Sequence, residues 1–159
     1  MYGLKEELNI ENIIYEIRGK QVMLDSDLAK LYECKNGTKD INKAVKRNIE
    51  RFPQNFYFQI TEEEMKKLWF QSGTANKMIR SLPYVFTEQG IAMLSSVLHT
   101  QIAISQSIRI MDAFVKMRKY ISANLIEQDN MKNMLIKHDN EIKLLQESFS
   151  KLEEKEKIN

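Results

Sequence analysis

Among the 159 residues there are one cysteine, two histidines, two prolines and one tryptophan. A single cysteine, Cys34, excludes an intrachain disulfide and a four-cysteine zinc site. His99 and His138 lie far apart in sequence with no cysteine beside either. The chain has no H-E-x-x-H, no glycine-rich phosphate loop, no Cys-x-x-Cys and no paired acids flanked by lysine at strand ends. Metal-assisted or acid–base chemistry needs such clusters, so neither an enzyme nor a resident metal or cofactor is expected. No apolar run approaches the roughly 18 residues of a membrane span, and no charged-then-apolar leader opens the chain. The expectation is a cytoplasmic protein that does not engage a membrane. The net charge of +2 is too small to argue from. Its distribution says more: residues 129–159 hold six Lys and seven Asp or Glu, which leaves +3 on the first 128 residues.

That excess matches one segment. Residues 38–52, TKDINKAVKRNIERF, carry five basic and two acidic side chains. At about 100° per residue Ile41, Val45, Ile49 and Phe52 share one stripe, while Lys39, Lys43, Arg47, Glu50 and Arg51 fall on the far side and Lys46 on its flank. The spacing predicts a helix capped by Thr38 and stopped before Pro53. A shorter helix precedes it over residues 26–33, with Leu28, Ala29, Leu31 and Tyr32 as its apolar positions and Asp25 or Ser26 as its cap. Lys35-Asn36-Gly37 marks the turn between them, since Asn and Gly tolerate positive φ. A helix that buries one face, follows a turn and points cations outward suits the DNA major groove. Its lysines and arginines neutralise phosphates, and Asn42, Asn48 or Arg47 reach base edges. The same pattern also describes an ordinary amphipathic helix with a solvated basic face.

The flanking chain supplies strands. Gly19-Lys20 sits between β-branched runs at 14–18 and 21–24, which suits a two-residue type II′ hairpin. Arg18 and Lys20 at its tip are either solvated turn charges or wing-like phosphate contacts. Phe56, Phe58 and Ile60 alternate on a short strand. Thr61-Glu62-Glu63-Glu64 spells a capping box for a helix to about residue 70, with Met65, Leu68 and Trp69 facing inward. Residues 71–82 read as a loop, and Lys77 and Arg80 there are candidate DNA contacts. Residues 83–86 read as a fourth strand. Thr87 caps a helix to about residue 98 that is apolar nearly all round, and Gly90 in its first turn signals close approach of another backbone.

No Pro or Gly follows Gly90, so the chain can remain helical from Gln101 onward. Ile104, Ile108, Met111 and Val115 fill one stripe, and Ile110, Phe114, Met117 and Ile121 an adjacent one. From Phe114 onward, Phe114, Ile121, Gln128, Leu135, Ile142 and Phe149 recur every seven residues, with Met117, Asn124, Met131, His138, Leu145 and Leu152 between them. That is coiled-coil a and d spacing. It makes Ile121, Met131, Leu135, Ile142, Leu145, Phe149 and Leu152 the expected oligomerisation residues. Asp129-Asn130 is the alternative breaking point.

The runs NIENIIYEIRGKQVMLDSDLAKLYE, INKAVKRNIERFPQNFYFQIT, LPYVFTEQGIAMLSSVL and IRIMDAFVKMR, in that order, resemble the phage "open reading frame six, N-terminal" domain family, which is grouped with the KilA-N and Bro-N domains of phages and large DNA viruses. The resemblance implies a small α+β DNA-binding domain with a different module behind it, in proteins often tied to antirepressor or other regulatory roles. The family's VKRN segment falls on Val45, Lys46, Arg47 and Asn48, and its FTEQG segment on Phe86 to Gly90. The chain departs from the family at the turn after the first helix, where Glu33-Cys34 and Asn36-Gly37 lengthen a short Tyr-Gly-Val-type connection. The expected architecture is a four-stranded α+β domain over residues 1–119, with a hairpin and a helix-turn-helix-like pair, followed by a coiled-coil helix over 120–159. Double-stranded DNA is the expected partner, met by Thr38, Lys39, Asn42, Lys43, Lys46, Arg47 and Arg51 together with the loop cations, in a homodimer. The alternative partner is a repressor protein, held by protein–protein contact.

Overall fold

A computed structural model describes residues 9–72 and 81–158. The chain divides into two compact units, Met1–Val115 and Lys116–Asn159. The first is α+β, built on a four-stranded antiparallel sheet of order β1-β2-β4-β3. Its strands are β1 (Tyr15–Ile17), β2 (Lys20–Leu24), β3 (Tyr57–Gln59) and β4 (Tyr84–Thr87). The helices are α1 (Asp25–Leu31), α2 (Thr38–Arg47), α3 (Glu62–Ser72), α4 (Glu88–Leu98) and α5 (Gln101–Ile158), the last passing unbroken through Asp129-Asn130.

Alternation along the strands splits the core in two. Val22 and Val85 point to the face where Ile17, Ile60, Met65 and Leu68 pack, so α3 covers that side. Met23 and Phe86, opposite each other in the register, point to the other face, and both are fully buried. Phe52 meets Phe86 there edge-on, with ring centroids 6.2 Å apart. α1 packs on α2 and α2 on α4, and Leu28, Ile41, Ile91 and Leu94 have no exposed surface.

The hairpin turn is one residue earlier than its sequence suggests. Ile17 pairs with Lys20, and Arg18 and Gly19 both have positive φ, 55° and 73°. Two left-handed residues make this a type I′ turn at Arg18-Gly19 in place of the expected type II′ turn at Gly19-Lys20. The end of α1 also differs. Glu33 is left-handed (φ 52°); its N–H donates to the Lys30 carbonyl and that of Cys34 to the Ala29 carbonyl. This is a Schellman closure with glutamate where glycine is usual, so positive φ falls on Glu33 and Gly37 and not on Asn36.

The starts of α1 and α2 differ from their expected cap positions, although Asp25 does accept from a free N–H of α1. α1 begins at Asp25 after Leu24, which makes no side-chain cap bond. The Asp25 carboxylate is buried, accepting from the Ser26 N–H at 2.8 Å and the Tyr84 N–H at 3.3 Å. It therefore ties the start of α1 to the start of β4, and burial raises its pKa. Thr38 is the first residue of α2, not its cap. Gly37 holds the cap position with no side-chain cap bond. Asp40 instead ties down the loop before the helix by accepting from the backbone and side-chain N–H groups of Asn36 at 3.1 and 3.2 Å, which lowers the Asp40 pKa. At the other end α2 stops at Asn48, whose side chain donates to the Ala44 carbonyl at 2.9 Å. A 3-10 turn, Ile49–Arg51, follows. Ile41, Val45 and Phe52 are buried as their spacing requires, but the break swings Ile49 outward to 53% exposure.

Three local expectations hold in detail. The capping box closes, with Glu64 N–H to Thr61 Oγ1 at 3.2 Å and Thr61 N–H to Glu64 Oε1 at 2.9 Å. Thr87 Oγ1 accepts from the Gly90 N–H at 3.3 Å. Gly90 lies against the chain entering β3: a Cβ there would overlap the Phe56 carbonyl oxygen and sit 2.8 Å from its carbon. α4 is less buried than its composition suggests, since only Gly90, Ile91 and Leu94 are enclosed.

In the first unit α5 turns inward the start of the stripe that begins with Ile110 and Phe114, and not the stripe of Ile104, Ile108 and Val115. Ala103, Ser107, Ile110, Ala113 and Phe114 are buried, whereas Ile104, Ile108 and Val115 are exposed. Ser107 explains the choice. Its hydroxyl bonds the buried Tyr32 hydroxyl at 2.8 Å, satisfying two polar groups at once, and burial pushes Tyr32 up to about 12. Phe114 therefore belongs to the body and not to the heptad series. In the second unit the side chains of Ile121, Met131, Leu135, Ile142, Leu145, Phe149 and Leu152 are all exposed.

Gly90→Ala is expected to destabilise the protein by about 3 kcal/mol, because a backbone carbonyl cannot swing away as a flexible side chain can. Urea unfolding measures it; a loss below about 0.5 kcal/mol would show that the Phe56 contact does not constrain the fold.

Candidate nucleic-acid interface

The site is built on α2 because burial fixes which way that helix faces. Ile41 and Val45, four residues apart, are 0% and 2% exposed. Lys39, Lys43, Lys46 and Arg47 therefore point outward, and all four are exposed. With the half-buried Asn42 they line an open concavity of about 460 Å³. None of the four is in a salt bridge among the described residues. The nearest acid on the helix, Asp40, is hydrogen-bonded by Asn36 and feels the Lys43 charge only as a lesser influence. Lys46 and Arg47 lie in the last turn, where the helix dipole favours cations.

Of the other predicted residues, Thr38 lies apart from this concavity. It lines, with Asn42, a neighbouring cleft of about 350 Å³ that also holds Trp69, Leu82 and Tyr84. Arg51 is exposed but sits in the 3-10 turn after α2 and does not line the concavity. Lys77 and Arg80 lie outside the described residues.

The hairpin cations behave differently from each other. Arg18 is committed: its Nε and Nη2 donate to the two Glu64 carboxylate oxygens, each at 2.9 Å, and its guanidinium lies 4.4 Å from the Phe58 ring centroid. It fastens the hairpin tip to the start of α3 and offers little to a phosphate. Lys20 is exposed and lines a third cleft, about 720 Å³, with Gln54, Asn55, Tyr57, Gln59 and Tyr84. Sequence reasoning missed the tyrosines in that cleft. It followed Phe56, Phe58 and Ile60 on one face of β3, while Tyr57, on the other, stacks on Tyr84 at 5.2 Å with 22° between the rings. Period-two alternation placed Tyr57 on that face, but nothing in the sequence pairs it with Tyr84.

Among the described residues no three His, Cys, Asp or Glu side chains converge to hold a metal ion, and no helix is long and apolar enough to cross a membrane. A family model, the ORF6N domain, matches residues 12–97, more than half of the chain.

The chain belongs to the ORF6N domain family. This is a phage-type family, and the matched region takes in the sheet, the basic helix and the tyrosine pair. It ends at Val97, so the segment IRIMDAFVKMR and the whole of α5 lie beyond the ORF6N match. No curated protein and no solved structure matches the chain.

The Arg18 hydrogen bonds hold Glu64 at about 2, against an ordinary value of 4.5. The stabilisation from the charged carboxylate is complete above the ordinary value and is lost as pH falls through about 2. In Arg18→Ala the Glu64 carboxyl, followed by NMR titration, is expected to return toward its ordinary value. A carboxyl that stays as acidic as before would mean that the capping box, not Arg18, sets it.

Proposed function

We propose that this ORF6N protein is a phage- or prophage-type DNA-binding regulator of the cytoplasm. It reads duplex DNA with α2, the second member of a helix-turn-helix-like pair, and dimerises through the heptad part of α5. One observation carries the reading: Lys39, Lys43, Lys46 and Arg47 stand exposed, with no salt bridge among the described residues, on one side of a helix whose other side is buried. Cations held in that way release counterions from a polyanion when they bind it. Asn42, among them, is the residue placed to read a base edge. The family's association with phages agrees with a regulator, and the sparse histidine and cysteine content agrees with a binder rather than a catalyst.

Binding to a random-sequence duplex should weaken steeply with salt. Lys43→Ala with Arg47→Ala should flatten the log–log salt slope by about 2, near 0.9 for each phosphate that is no longer neutralised. Both side chains are exposed, so circular dichroism should report an unchanged fold. No binding at low salt with micromolar protein would overturn the proposal.

Dimerisation rests on α5. Residues 121–152 place exposed apolar side chains at a and d positions, and Asn124, Gln128 and His138 interrupt the series where polar side chains set register and strand number. Two copies of the basic helix on one two-part site bind more tightly than one. Sedimentation should give a dimer for the full chain and a monomer for Leu135→Asp with Leu145→Asp. An unchanged mass would remove α5 from the interface. The same exposed heptads favour a second reading, an antirepressor that grips a repressor by helix pairing. Capture of a repressor that needs residues 120–159 and survives loss of the Lys43 and Arg47 charges would support it.

A further inference from the structure

Three clefts of the first unit share walls. The basic concavity on α2 meets the second cleft at Asn42, and the second meets the third at Gln59 and Tyr84. Residues that line two clefts make them neighbours, so the three stand in series as a segmented groove from Lys43 and Arg47, past Tyr84, to Lys20. Its ends are cationic and its middle is aromatic and amide-rich. Tyr84 is half-buried at the junction and is the outermost ring of a row. It stacks on Tyr57, Tyr57 lies 5.6 Å from Phe86, and Phe52 meets both Tyr57 and Phe86 edge-on. Phe52 and Phe86 are buried, so the row is anchored in the core. The Tyr84 ring is held in place before any ligand arrives. Gln54 and Asn55 expose their amides in the same groove beside Lys20.

A helix lying in a major groove has no use for such a ring, because the faces of a paired base are covered by its neighbours. A flat ring at the centre of a groove with cations at both ends and exposed amides is the chemistry that takes an unpaired strand: cations follow the phosphates, the ring stacks a base, and amides meet its edge. We infer that the groove from α2 to the hairpin binds single-stranded nucleic acid, with Tyr84 as the stacking platform for one base and Lys20 as a phosphate contact beyond it. The inference rests on the reading of α2 as a nucleic-acid surface and extends it to strands that are open or distorted.

The test uses the full chain with two fluorescent probes, a 12-nucleotide single strand of mixed sequence and a duplex of the same sequence. The single strand should bind, and Tyr84→Leu should weaken it about tenfold or more while changing duplex affinity less than twofold. Tyr84→Phe keeps the ring and should bind like the unmodified protein. Lys20→Ala and Asn55→Ala, at exposed positions that do not disturb the core, should each weaken the single strand alone, and Lys20→Ala should flatten its salt slope by about 0.7. Duplex binding with no single-strand binding overturns this inference and leaves the duplex reading intact, as does single-strand binding that Tyr84→Leu, Lys20→Ala and Asn55→Ala leave unchanged. Binding of neither probe overturns both.

Discussion

Burial of Ile41 and Val45 is the constraint on which the surface of this protein depends. Two β-branched side chains one turn apart fix the rotation of α2 about its axis. Fully burying each contributes about 1.5–3 kcal/mol, so any rotation that hid the lysines would expose both. The cations are therefore not merely on the surface but held there. The α1–α2 pair is set in turn by interactions that have nothing to do with charge: the Schellman closure at Glu33, the Asp40 carboxylate on Asn36, and the Asn48 side chain that ends the helix.

The sheet is held to the helices by short-range devices at its ends. Asp25 joins α1 to β4, Arg18 joins the hairpin to α3 through Glu64, and Gly90 lets α4 lie against the Phe56 carbonyl. Glu64 serves two of these roles, since one carboxylate accepts from Thr61 in the capping box and from Arg18 across the sheet. Tyr32 and Ser107 provide the buried polar link between α1 and α5. The two largest elements of the proposed function, the basic helix and the long C-terminal helix, thus belong to one body at their roots.

Local chemistry was legible in the sequence. The capping box at Thr61, the Thr87 cap, the need for Gly90 and all four strands follow from residues within a few positions of one another. Most of what the sequence could not show depends on partners far along the chain, apart from a few turn and cap details set locally. Arg18 looks like a free turn charge until Glu64 folds beside it. Ile104 and Ile108 look more buried than Ala103 and Ser107 until Tyr32 supplies a partner for the serine. Ile49 completes a helical stripe only if the helix continues, and the Asn48 side chain ends it first. In the candidate site the charges of α2 were readable from periodicity. The Tyr57–Tyr84 stack was not, because strand register alone brings the two rings together.

The most direct test of the outward-facing cations is an NMR titration of the full chain with a short duplex at low salt. Backbone and side-chain signals of Lys39, Asn42, Lys43, Lys46 and Arg47 should move together and saturate together, while those of Ile41 and Val45 shift little. Saturable shifts confined to residues beyond Lys116, with the α2 signals still, would contradict the account.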